Sequence, residues 1–108
     1  MSTPAKNATL SSLAEVDRLI HEPARLAVIA LLYVVESADF IFLMNQTGLT
    51  WGNLSAHMSK LEEAGYIEVV KTFKGKRPNT MLRLTQAGRA AFQAYRQQMK
   101  RVLDGLSE

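Results

Sequence analysis

Residues 47–84 read TGLTWGNLSAHMSKLEEAGYIEVVKTFKGKRPNTMLRL, and this stretch decides the fold. Thr47-Gly48 closes a short helix, since Gly48 suits a left-handed C-cap. Thr50 opens the next one, its hydroxyl placed to accept from first-turn amides. From Trp51 to Ala64 the apolar residues Leu54, Met58 and Leu61 return with the period of a helix, and Gly65 stops the run. Tyr66–Thr72 is rich in β-formers and Thr80–Leu84 alternates in character. Between them, Phe73–Asn79 reads as a basic loop with the tip Lys74-Gly75-Lys76-Arg77-Pro78-Asn79. The expected order is short helix, turn, longer helix, strand, basic loop, strand.

On a helical wheel of about 100° per residue, Leu54, Met58 and Leu61 share the inward face and Trp51 falls at its margin, where burial is expected. Gly52, Ala56, Ser59, Lys60 and Glu63 lie opposite, flanked by Asn53, Ser55 and His57. The outward face near the N-terminus is therefore small and hydrogen-bonding, which suits entry into a major groove about 12 Å wide. Asn53 has the chemistry to pair bidentately with adenine. Ser55, His57, Ser59 and Lys60 have the chemistry to meet phosphates or base edges. An ordinary surface helix is the competing reading; the basic hairpin that follows tips the balance towards DNA.

Charge supports that reading. The chain of 108 residues has a net charge of +3, but residues 1–65 carry four Lys/Arg against seven Asp/Glu, and residues 66–108 carry nine against three. Lys71, Lys74, Lys76 and Arg77 follow one another with no acid among them. Such a cluster attracts a polyanion, and Arg83 on the outward alternation of the second strand is expected to extend it. Solvation of a charged face is the bland alternative, but it leaves the missing acids unexplained.

Around this device the chain reads as one domain, mainly α with a small β-hairpin (α+β). Residues 1–9 are polar and expected to fray, with residues 10–108 forming the domain. Leu10, Leu13, Val16 and Ile20 recur at helical spacing over 10–22, with Ser11 or Ser12 as cap and Pro23 interrupting or opening the next helix. Arg25–Val35 is strongly apolar and central to the core, Ser37–Phe40 is a brief strand or bend, and Ile41–Gln46 is a short helix. The helix-turn-helix spans 41–64 and the wing 66–84. Thr85 caps a final helix over 86–108, in which Phe92, Tyr95, Met99, Val102 and Leu106 form an a/d stripe. That stripe, with Leu103 beside it, and the stripe of 10–22 are expected to be dimerisation surfaces.

The sequence argues against other classes. With no Cys there is no disulfide framework, thiolate metal site or cysteine nucleophile, and a reducing, cytoplasmic setting is expected. No apolar run is long enough to span a bilayer, and Met1-Ser2-Thr3-Pro4 does not look like a signal peptide. Asp17 and His21 at i, i+4 are two groups only, no phosphate-cradling or nucleophile motif appears, and an enzyme is not expected. No cofactor or metal is expected. A small unknown effector could be lined by Tyr33, Met44 and Phe92, but these residues read first as plain core.

With these residues in hand, the chain resembles the small single-domain winged helix-turn-helix transcriptional regulators of the MarR/ArsR-like superfamily. The matching text is His21-Glu22-Pro23-Ala24-Arg25-Leu26, then Thr47 to Met58, Leu61 to Ile67, Lys74 to Pro78, and Leu82-Arg83-Leu84-Thr85 with Gly88-Arg89. The resemblance covers roughly 17–95. It implies a cytoplasmic homodimer that binds double-stranded DNA in sequence-specific fashion, through Asn53, Ser55, Ala56, His57 and Lys60 of the recognition helix and Lys76 and Arg77 of the wing. Thr50, Ser59, Lys74 and Arg83 complete the candidate surface. Ile41 stands where relatives carry a polar cap, so an irregular helix start is expected there. Only His21 and His57 could serve metal sensing, which is unsupported. A winged helix that binds protein instead of specific DNA is the alternative.

Overall fold

A computed structural model describes residues 13–106. The expectations for residues 1–12, including frayed residues 1–9 and the Ser11 or Ser12 cap, lie outside them. In chain order the elements are α1 (Pro23–Val35), β1 (Ser37–Asp39), α2 (Phe40–Thr47), α3 (Trp51–Glu63), β2 (Ile67–Lys74), β3 (Arg77–Leu84) and α4 (Gln86–Asp104). The three strands form one antiparallel sheet in the order β1-β3-β2.

Pro23 opens α1, as a residue with no amide to satisfy should, and the Glu22 carboxylate caps it by accepting from the Arg25 amide at 2.8 Å. The stretch before it departs from expectation. Leu13 and Ala14 are helical, but residues 15–22 are turns and bends instead of a helix. Asp17 explains the break. Its Oδ1 accepts from the amides of Leu19 at 2.9 Å and Ile20 at 3.3 Å, and its Oδ2 accepts the Tyr66 hydroxyl at 2.6 Å. These side-chain bonds compete with helix propagation. No side-chain hydrogen bond or ion pair joins Asp17 and His21; His21 Nδ1 pairs with Tyr95 Oη at 2.8 Å.

The expected dimer surfaces change accordingly. Val16, Ile20 and Tyr95 are buried in the core of this chain, beside Ile29, Leu32, Leu54 and Phe92. Val102 is buried as well, and Met99 packs partly against the core. Val16 and Ile20 join the core cluster and His21 pairs with Tyr95 of α4, and four of the residues expected to face a partner, Val16, Ile20, Tyr95 and Val102, are buried within this chain. Leu103 and Leu106 remain 60% and 64% exposed, and Leu13 is exposed too.

The start of α2 is regular, against expectation. Asp39, two residues ahead of Ile41, supplies the polar cap by accepting from the Phe42 amide at 2.7 Å. The hairpin is also tighter than a loop over 73–79 would be. Lys74 pairs with Arg77, Phe73 with Pro78 and Thr72 with Asn79, leaving only Gly75 and Lys76 between the strands. Gly75 takes φ +66° and Lys76 keeps a negative φ, the pattern of a type II′ hairpin turn. In such a hairpin the next pair out, Phe73 and Pro78, is the one without ladder hydrogen bonds. Pro78 therefore gives up no bond by lacking an amide.

Thr85-x-x-Gly88 docks α4 onto the root of the wing. Thr85 Oγ1 accepts from the Gly88 amide at 2.9 Å and donates to the Gly65 carbonyl at 2.6 Å. A Cβ on Gly88 would lie 2.1 Å from the Tyr66 carbonyl oxygen, so the helix can approach this closely only with glycine in place.

Candidate nucleic-acid interface

Thr50 caps α3 by accepting from the Asn53 amide at 3.2 Å, and Leu54, Met58 and Leu61 anchor the helix in the core. That anchoring fixes the opposite face. Gly52, Asn53, Ala56, Ser59 and Lys60 are exposed, and Ser55 is half-buried on the flank. The outward face is small and polar along its first two turns, as the wheel requires.

Trp51 departs from its expected burial. It is 57% exposed, because Phe40 covers just part of it, with ring centroids 4.4 Å apart. His57 is more engaged than the sequence suggests. Arg25 Nη1 donates to its Nδ1 at 3.0 Å, and the Glu22 carboxylate lies 3.7 Å away. Nδ1 is thereby occupied as an acceptor, leaving Nε2 to carry hydrogen in the neutral ring. Arg25 Nε also donates to the Leu19 carbonyl at 2.6 Å. The Glu22 carboxyl is held below its ordinary value chiefly by the Arg25 backbone amide, with the Arg25 charge assisting. His57 thus ties α3 to the start of α1.

Register sorts the wing into two faces. Ile67, Val69, Lys71 and Phe73 of β2 lie opposite Leu84, Leu82, Thr80 and Pro78 of β3, and this face meets α3. Between them runs a groove of about 310 Å³ whose walls include Trp51, Ser55, Ser59, Lys71 and Thr80. The other face carries Glu68, Val70, Thr72 and Lys74 against Arg83, Met81, Asn79 and Arg77.

The basic residues are not equivalent. Arg83 does not extend a free basic stripe: its guanidinium is paired with the Glu68 carboxylate directly across the strands. Lys74 Nζ stands 4.0 Å from Asp39. Lys60, Lys71, Lys76 and Arg77 form no ion pair with any described residue. Uncompensated charge is therefore concentrated at the turn and along the groove side of the wing. Lys71 was legible only as part of a charge run; strand alternation from Ile67 and Val69 was the signal that places it in the groove.

Among the described residues no group of three or more His, Asp or Glu is arranged to hold a metal ion, and no helix is long and apolar enough to cross a membrane. Tyr33 and Phe92 pack with tilted rings, centroids 4.9 Å apart, and Tyr33 and Met44 both pack against the core.

Comparison with known proteins agrees with this geometry. An uncharacterised protein of Methanocaldococcus jannaschii is 37% identical over 78 residues, which cover 72% of this chain and 85% of that protein. A transcriptional regulator homologue from Pyrococcus horikoshii superposes with a TM-score of 0.84 at 27% identity, over 94% of this chain and 99% of that one. NadR, solved in complex with 4-hydroxyphenylacetate, shares the fold at a TM-score of 0.66 and 20% identity, over 95% of this chain and 73% of its own. The family model of the winged helix DNA-binding domain matches residues 24–103, from the second residue of α1 almost to the end of α4. By that match, which bears out the resemblance read from α3 and the wing, the chain belongs to the winged helix DNA-binding domain family.

Proposed function

We propose that this protein is a sequence-specific regulator of transcription that binds double-stranded DNA as a homodimer. One observation carries the reading: Ser55 and Ser59 of the small, polar side of α3 share a groove with Lys71 of the wing, and Lys76 and Arg77, which like Lys71 form no ion pair with a described residue, stand at the turn beyond it. In this reading α3 enters the major groove, Asn53 reads a base edge, and Thr50, Ser55, Ala56, Ser59 and Lys60 meet neighbouring bases or phosphates. Lys76 and Arg77 at the turn hold phosphates or reach the adjacent minor groove, where narrow A·T tracts concentrate negative potential. His57 acts from the flank through Nε2. Lys74 and Arg83, each beside a carboxylate, contribute less. Dimerisation falls to Leu103, Leu106 and Leu13, with Met99 at the margin, and it would set two copies of α3 roughly 34–36 Å apart.

The test is duplex affinity measured against salt for the wild-type chain, Lys76→Ala and Arg77→Ala. Each lost phosphate contact should flatten the log–log slope by about 0.9. Variants that track the wild type at every salt concentration would remove the wing from the interface. Binding to a protein partner through the same face would be nearly salt-independent, which separates that alternative.

A small effector is a second reading, suggested by the ligand in NadR. One space with cationic lining is a cleft of about 560 Å³ beside Tyr33, lined by Gln93, Arg96, Gln97 and Lys100. Thermal shifts against a panel of aromatic acids would test it, and no shift with any member would argue against it.

A further inference from the structure

Phe73 is the wing side chain that the electrostatic account leaves unused. It is 71% exposed, more than any other described aromatic residue. Across the hairpin it faces Pro78, so two apolar side chains meet just behind a turn whose other members are Lys74, Lys76 and Arg77. Strand alternation puts it on the face of Lys71, the face that meets α3. β1 pairs with β3 only over Met81–Arg83, so no third strand reaches this part of the wing. Among the described residues nothing covers the ring, and a solvated hairpin tip has no need of one.

We propose that Phe73, backed by Pro78, is an apolar wedge that enters the DNA minor groove beside the site read by α3. This inference rests on the DNA-binding reading above. A ring on the face of Lys71, next to a turn that carries Lys74, Lys76 and Arg77, is matched to a surface whose rim is anionic and whose inner walls are apolar. The minor groove has phosphates at its rim, sugar edges along its walls and base edges at its floor, and base faces open to an apolar side chain where a step is unstacked. Apolar side chains in that position partly unstack a base step, most readily a flexible pyrimidine–purine step. The contact carries no hydrogen-bond code. It adds affinity that is independent of salt and favours deformable flanking sequence.

The experiment measures affinity against salt for wild type, Phe73→Ala, Phe73→Leu and Lys76→Ala. Two duplexes of about 30 base pairs, roughly three helical turns, are used: one enriched by selection with the wild-type chain and one of mixed sequence, each with 2-aminopurine at flanking positions. Phe73→Ala should bind roughly tenfold more weakly, a loss on the scale of one base–aromatic contact, along a line parallel to the wild type's. Lys76→Ala should instead change the slope. The wild type should raise 2-aminopurine fluorescence at one flanking step, Phe73→Leu less so, and Phe73→Ala not at all. Because the ring is exposed, the thermal midpoints of both Phe73 variants should match the wild type. A Phe73→Ala line superimposed on the wild type's, with DNA binding intact, overturns the wedge alone. A wild-type chain that binds neither duplex overturns the DNA reading itself.

Discussion

Replacing Gly88 by alanine should destabilise the domain, although alanine is the better helix former. The added Cβ would stand 2.1 Å from the Tyr66 carbonyl oxygen, 2.9 Å from its carbon and 2.7 Å from Leu84 Cδ1. Ordinary contact between such atoms is about 3.5 Å, so something must move by more than an ångström. The Leu84 methyl can turn aside. The Tyr66 carbonyl is backbone at the root of the wing and accepts the Thr85 amide at 3.0 Å, so it resists. Helix propensity returns up to about 1 kcal/mol, whereas overpacking of this kind costs about 1–3 kcal/mol. The rigid contact argues for the upper end, giving a net loss of about 1–2 kcal/mol. For a domain of this size that lowers Tm by about 5–15 °C. Thermal unfolding followed by far-UV circular dichroism checks it. An unchanged or raised Tm would refute the claim that Gly88 is there for close approach, and with it the fixed angle between α4 and the wing.

Leu103→Glu combined with Leu106→Glu should give monomers by analytical ultracentrifugation and a large loss of operator affinity, since both leucines are exposed beyond the core. A double variant that sediments as the wild type does would put any dimer contact elsewhere. The three tyrosines should titrate apart. Tyr33 should ionise below its ordinary value of 10, first because Gln93 donates to its oxygen, with Arg96 and Arg89 assisting. Tyr95 should ionise above its ordinary value through burial. Tyr66 should be last, pushed up to about 12 because Asp17 accepts its hydroxyl. Its folded-state value is raised, so the stabilisation is fully present below pH 10 and lost as pH climbs towards about 12. Near-ultraviolet titration of the wild type against Tyr66→Phe checks this: the latest step should vanish in the variant.

Much of the fold was legible because the sequence is locally consistent. In α3 the cap Thr50, the inward Leu54, Met58 and Leu61 and the stop at Gly65 all agree, and the helix spans Trp51–Glu63. Where reading failed, a single tertiary or side-chain event decided the outcome. The turn-rich letters of 73–79 suggested a long loop, but Gly75 and Lys76 suffice for the turn and Pro78 sits at a non-bonded pair. The apolar spacing of 10–22 was real, yet Asp17 breaks the helix and folds Val16 and Ile20 into this chain's own core. The pairing of Arg83 with Glu68 depends on register, and the engagement of His57 by Arg25 depends on how α1 meets α3. Neither is visible in one dimension.

Selection of bound duplexes from a random pool tests the central claim most directly. The account predicts an enriched, two-fold symmetric sequence with half-sites about one helical turn apart, roughly 10–10.5 base pairs between centres, whose affinity falls steeply with salt. Failure to enrich any sequence, together with weak binding that salt does not alter, would contradict it.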